Sequence, residues 1–128
     1  MVLVDTSVWI DHLRQGNQRL ADLLIAGRVV CHPFVIGEVA CGSLRNRAGI
    51  LGLLAALPSA PMATHEEVLG LLASERLYSR GLGWVDVHLL ASARLLACTL
   101  WTLDKTLAAV GAAAPATNPE DTIEQSET

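Results

Sequence analysis

Short apolar runs separated by helix-length stretches are the feature that most limits what this chain can become. "MVLV" opens it, "VVCH" follows at residues 29–32, and "CTLWT" comes at 98–102. Runs that far apart cannot pair through tight turns, so they pair side by side with helices as the crossovers. Strands alternating with helices argue for a parallel sheet covered on its faces, an α/β architecture.

The intervening segments carry helix signals. "DTS" offers capping oxygens to "VWIDHLRQG". "NQRLADLLIAGR" places Leu20, Leu23 and Leu24 at helical spacing and stops at Gly27. Pro33 opens "PFVIGEVACGSLR" at its first turn. "AGILGLLAALP" ends before Pro58, and "SAPMA" reads as a further short strand. Thr64 with Glu67 makes a capping box for "HEEVLGLLASERLYSRG", and "GWVDVHLLASARLLA" is a strongly apolar helix. From Gly111 onward Ala, Pro, Thr and acids dominate, a composition with little to bury. One domain over residues 1–110 and a disordered acidic tail over 111–128 are expected.

Size and composition agree with this plan. The 128 residues suffice for a core without staples, and 52% are apolar with few aromatics. No stretch of 18 uncharged apolar residues exists, because the longest candidate, "LLASARLLACTLW", carries Arg94. Asp5 and Asp11 interrupt what would have to be a signal peptide. A cytoplasmic protein is expected. Cys31, Cys41 and Cys98 lack a CxxC spacing and sit among apolar neighbours, which suits reduced, buried thiols. The net charge of −4 is concentrated: four acids lie in the last nine residues, leaving nine acids against nine Lys and Arg in the body. If several body acids shared bound cations, the remaining surface would be basic enough for a polyanion.

Four acids stand in apolar surroundings: Asp5 after "MVLV", Glu38 in "VIGEVACG", Asp86 in "GWVDVHLL" and Asp104 after "CTLWT". Carboxylates are seldom buried unless paired or bound to a metal. Ligands of open parallel sheets bind beyond the carboxyl ends of strands, where Asp5 and Asp104 fall, with Glu38 and Asp86 on helices flanking the same edge. Four converging carboxylates repel unless cations bind them. An all-oxygen set suits Mg²⁺ or Mn²⁺, and the chemistry of such a site is phosphodiester hydrolysis. Thr6 and Thr102 stand ready to orient a water. Each acid also has a plainer reading: Asp5 as an N-cap, Glu38 and Asp86 as partly exposed helix residues, Asp104 as a cap for the helix after it.

"VDTSVWI", "GEVACG", "WVDVHLLASA" and "LWTLDKTL", in that order, closely resemble the PIN-domain ribonucleases of the VapC toxin type over residues 1 to about 110. The resemblance implies a PIN-like three-layer α/β/α sandwich with a short parallel sheet of about four to five strands. It also implies a Mg²⁺-dependent endoribonuclease site, a homodimer and a cognate VapB-type antitoxin. By position, Asp5, Glu38, Asp86 and Asp104 match the family's acidic quartet; Asp5 and Asp86 match its usual metal ligands, and Thr102 its hydroxyl before the last acid. "AAAPATNPED" departs from the family's last strand.

The remaining polar and aromatic residues read as structural. Trp9, Trp84 and Trp101 each lie in an apolar run and are expected in the core or a dimer contact rather than stacked on bases. His88 is two residues from Asp86, on another side of its helix, and His12, His32 and His65 have no metal-ligand spacing. Arg14, Arg45, Arg47, Arg76, Arg80 and Lys105 are candidate phosphate contacts as a set, while each singly reads as a solvated surface charge. The apolar faces of "VWIDHL", "LADLLIAG" and "ILGLLAAL" exceed what a thin sheet must cover, and an antitoxin helix and a dimer partner are expected on them. Two other functions compete: a non-catalytic, partner-binding PIN-like module, and a phosphohydrolase using Asp5 as a covalent nucleophile. The latter lacks an acid two residues beyond Asp5, where Ser7 stands.

Overall fold

A computed structural model describes residues 1–113. Its centre is β1 (Val2–Val4), buried throughout, flanked by β2 (Val29–Val30) and β3 (Thr99–Trp101) in the order β2-β1-β3. Both pairings are parallel: Val2 lies opposite Val29 and Thr99, Leu3 opposite Val30 and Leu100. The described sheet therefore has three strands, fewer than the four to five expected. "SAPMA" contributes only a bridge between Ser59 and Cys31; Pro61 within it and Pro58 just before it lack the amide donors a ladder needs.

The period of two along β1 sorts its side chains to two faces. Val2 and Val4 face a core with Trp9, Leu20, Val35, Val39 and Leu54. These come from α1 (Thr6–Gln15), α2 (Gln18–Ile25), α3 (Pro33–Ala40) and α4 (Arg47–Ala56). Leu3 and Val30 face Ala93 and Ala60, the side covered by α6 (Trp84–Leu96), on which α5 (His65–Ser74) and α7 (Lys105–Ala113) pack. Helices thus cover both faces, as the three-layer expectation requires.

Local chemistry sets the helix boundaries. Asn17 accepts from the Leu20 amide at the start of α2, and Gly27, with φ 69°, turns the chain into β2 where a side chain would be strained. The Thr64–Glu67 capping box forms at α5. α3 is shorter than its sequence suggests: it stops at Ala40, and Cys41 caps it before Gly42 and Ser43. α7 reaches Ala113, three residues past the expected domain boundary; beyond it the acidic tail lies outside the described residues.

This topology builds a crevice. The chain leaves β1 toward β2 on one side and returns to β3 on the other, so the strand order reverses at β1, and α1, α3 and α7 begin just beyond the carboxyl ends of β1, β2 and β3. α6 runs back down to the amino end of β3, so its N-terminus lies at the same rim.

Candidate active site

Asp5 leaves β1 by donating its amide to the Trp101 carbonyl at 2.9 Å, extending the β1–β3 ladder by one bond. It occupies the N-cap of α1, yet its carboxylate accepts no amide of the first turn. Instead Oδ2 accepts from Ser7 Oγ and from Thr102 Oγ1, both at 2.7 Å. Asp5 is only 7% exposed, and a buried carboxylate requires such donors. Ser7 Oγ also accepts from the Leu103 amide at 3.0 Å, and Thr102 Oγ1 from the Asp104 amide at 3.0 Å. One chain of hydrogen bonds therefore fixes the Asp5 carboxylate between the ends of β1 and β3.

The other three acids lie on the elements that begin at this rim. Glu38, exposed in mid-α3, accepts at Oε1 from Thr6 Oγ1 at 2.7 Å, which ties α3 to the first residue of α1. Asp86 reaches back in the first turn of α6 and accepts the Gly83 amide on Oδ2 at 2.9 Å. Asp104 caps α7, accepting the Leu107 amide on Oδ1 at 2.9 Å. The structure thus joins Asp5, Thr6, Ser7, Glu38, Thr102 and Asp104 through hydrogen bonds or direct chain adjacency, while the Asp86 carboxylate holds its own helix. Among the described residues no three acids, His or Cys stand together as a ready ligand group; bare carboxylates repel one another, and each here is held by a hydroxyl or an amide.

Asp104 takes the plain capping role read for it, Asp86, read as a partly exposed helix residue, also serves as a cap, and the cap expected of Asp5 is the one that does not form. Ser7 was not among the expected site residues. Its signal was present in "DTS", because a residue two beyond an N-cap can turn its hydroxyl back onto the cap's carboxylate.

Beside this site, His32 closes β2 and caps α3. The Phe34 amide donates to its Nδ1 at 2.9 Å, so Nε2 carries the proton toward Ser92 Oγ, 3.1 Å away. Burial, with the neighbouring His88 second, pushes its pKa down to about 4. His88 is lowered as well, by burial and then by His65. The ring of His32 meets Phe34 at 5.2 Å, Phe34 meets His88 at 4.8 Å, His88 meets Trp84 at 5.0 Å and Trp84 meets His65 at 5.2 Å. Trp9 and Trp101 are core residues as expected, but Trp84 is 40% exposed: as the first residue of α6 it lies at the rim, above the packed part of the helix. Cys41 is likewise exposed rather than buried, because α3 ends before it; Cys31 is buried and Cys98 half-buried.

A three-stranded parallel sheet with helices on both faces and a buried, hydroxyl-clamped Asp5 at its carboxyl end defines a class. Residues 2–113 match the PIN domain, and the chain belongs to that family, in its VapC toxin branch. It is 52% identical over 110 residues to Ribonuclease VapC32 of Mycobacterium tuberculosis, in strains CDC 1551 / Oshkosh and H37Rv alike, a match covering 85% of this chain and 89% of the relative. The crystal structure of Mycobacterium tuberculosis VapC20, described as a Sarcin-Ricin loop cleaving toxin, superposes with a TM-score of 0.61. That match covers 87% of this chain and 95% of the other at 19% identity, a likeness of fold alone.

Proposed function

We propose that this chain is the toxin of a toxin–antitoxin pair, a Mg²⁺-dependent endoribonuclease that hydrolyses RNA phosphodiester bonds at the Asp5 rim. The 52% identity to a ribonuclease supports the activity. The observation that carries the site is Asp5: a buried strand-end carboxylate at a cap position that caps nothing and is clamped by two hydroxyls from opposite ends of the chain.

The donor set fits a hard divalent cation. In all four acids the bond described above falls on one oxygen, and the other is the natural ligand. Asp5 and Asp86 would hold the ion, with Glu38 and Asp104 completing the site. Mg²⁺, for which Mn²⁺ can substitute, supplies Lewis acidity toward the phosphate and lowers the pKa of the attacking water. The chain's own residues do the positioning. Ser7 and Thr102 keep Oδ2 of Asp5 engaged, so Oδ1 keeps one direction. Thr6 holds Oε1 of Glu38 and leaves the second oxygen to accept a proton from water. The amide ends of α1, α3, α6 and α7 favour an anionic phosphodiester at the rim.

A groove of about 650 Å³ runs from Glu38 between α1, α3 and α4, lined by Ile10, Leu13, Val39, Leu44 and Ile50 with Arg14 and Arg45 among them. An amphipathic helix of a VapB-type antitoxin fits it and would end at Glu38. The groove draws on two of the three apolar faces named above; Ile25, 86% exposed, lies on the third and suits a homodimer contact. No described helix is long and apolar enough to cross a membrane, and we place the pair in the cytoplasm.

The test is cleavage of total RNA with and without EDTA, beside calorimetric Mg²⁺ and Mn²⁺ titration, for the wild type and Asp5→Asn. Chelator-sensitive cleavage and metal binding, both lost in the variant, are expected. Folded protein that neither binds the ions nor cleaves would replace this reading with a non-catalytic binding module, and an aspartyl-phosphate trapped on Asp5 would replace it with a phosphohydrolase.

A further inference from the structure

Trp84 is the largest aromatic side chain left exposed in the described fold, and it is braced. Its ring lies 5.2 Å from His65 at 52° and 5.0 Å from His88 at 82°. Behind His88 stands Phe34, 4.8 Å away, and behind Phe34 the fully buried His32. Indole and imidazole are thus fixed by a row of rings that leads into the core, while His65 and the outer side of Trp84 remain in solvent.

A preordered, flat, half-exposed aromatic surface is costly to leave bare and well suited to a flat ligand. Its place in the fold narrows the ligand. Trp84 and Asp86 are the first and third residues of α6, and Phe34 and Glu38 lie one turn apart on α3. Phe34 shares a face of α3 with Glu38, so the aromatic row borders the rim through Glu38, while Trp84 stands at the rim end of α6 on another side of that helix from Asp86. We propose that Trp84 with His65 is a stacking platform for an unpaired base of the RNA, flanking the phosphodiester held at the carboxylate rim. This rests on the nuclease reading above and adds to it which residues receive the nucleotide beside the cut. Stacking reads no hydrogen-bond edge, so the platform sets strand state and register rather than base identity.

The test uses the full chain in EDTA, so that RNA is bound but not consumed. The probes are a single-stranded oligoribonucleotide of mixed sequence, about ten nucleotides long, and an abasic strand of equal charge. The Trp84 indole N–H resonance, assigned by its loss in Trp84→Phe, is expected to move on titration with the oligonucleotide while those of buried Trp9 and Trp101 stay. Trp84→Ala should weaken binding about 5- to 150-fold, the range for loss of one stacked base, and should bind the natural and abasic strands alike. Trp84→Phe should recover most of the affinity. With Mg²⁺ restored, Trp84→Ala should raise KM with little change in kcat. An unmoved Trp84 resonance, or equal binding by wild type and Trp84→Ala, overturns the platform, and does so whether or not the wild type cleaves RNA. A fall in oligomeric state caused by Trp84→Ala would also overturn it, by showing that a second copy covers this face. Base-dependent binding through Trp84 in a protein that never cleaves would instead leave the platform standing and sink the nuclease.

Discussion

Lowering the pH charges His32 in the unfolded chain long before it charges it in the fold. In the native structure Nδ1 must accept the Phe34 amide, and Nε2, at zero side-chain exposure, faces Ser92. Protonation turns the acceptor into a second donor aimed at a donor, and the α3 cap fails. The folded value of about 4 lies below the ordinary 6.5. Because the folded pKa is the lower one, the stability contribution is complete above about pH 6.5 and is lost as the pH falls through 6.5 toward 4. The linkage relation with these two values gives a loss on the order of 2.5 kcal/mol between about pH 7.5 and 4.5. Urea unfolding of the wild type and of His32→Asn across that range isolates it. Asn is a preferred N-cap and does not titrate, while His88 and the carboxylates titrate in both proteins and cancel. The wild type should lose about 2 to 3 kcal/mol more than the variant. Parallel stability curves, or an NMR titration placing His32 near 6.5, would refute the reasoning. Since α3 carries Glu38, RNA cleavage in the wild type should fall over the same range more steeply than in His32→Asn.

Three further outcomes follow from the site and its surroundings. Thr102→Val strips the Asp5 carboxylate of a donor and the Asp104 amide of an acceptor, which should cost about 1–3 kcal/mol in urea unfolding and depress cleavage, while Thr102→Ser should restore both. Asp104→Asn keeps the α7 cap and should leave stability nearly unchanged while lowering cleavage; Asp104→Ala should lose about 1 kcal/mol in addition, and equal cleavage by Asp104→Asn and wild type would remove Asp104 from the chemistry. Among the thiols, exposed Cys41 should react first with a disulfide reagent at neutral pH, and Cys31, whose burial pushes its pKa up to about 11, only on unfolding.

Much of this arrangement was legible in the sequence because it is local. Val2–Val4, Val29–Val30 and Thr99–Trp101 are apolar runs too far apart for hairpins, and that dictates parallel pairing with helices on both faces. Pro33, Thr64 with Glu67, and Gly27 set element boundaries through local backbone conformation or bonds within a few residues of themselves. Asp5, Glu38, Asp86 and Asp104 stood out because charge among apolar neighbours requires a partner. What the sequence could not show is which partner. Asp5 is clamped by Thr102 from 97 residues away and Glu38 by Thr6 from 32, and such pairings exist only once the strand order sets β3 on one side of β1 and β2 on the other. Trp84 shows the same boundary from the other direction. Its apolar neighbours pointed to the core, but it is the first residue of α6, and only the packing of α6 against α5 decided that its ring would stay at the rim, in solvent.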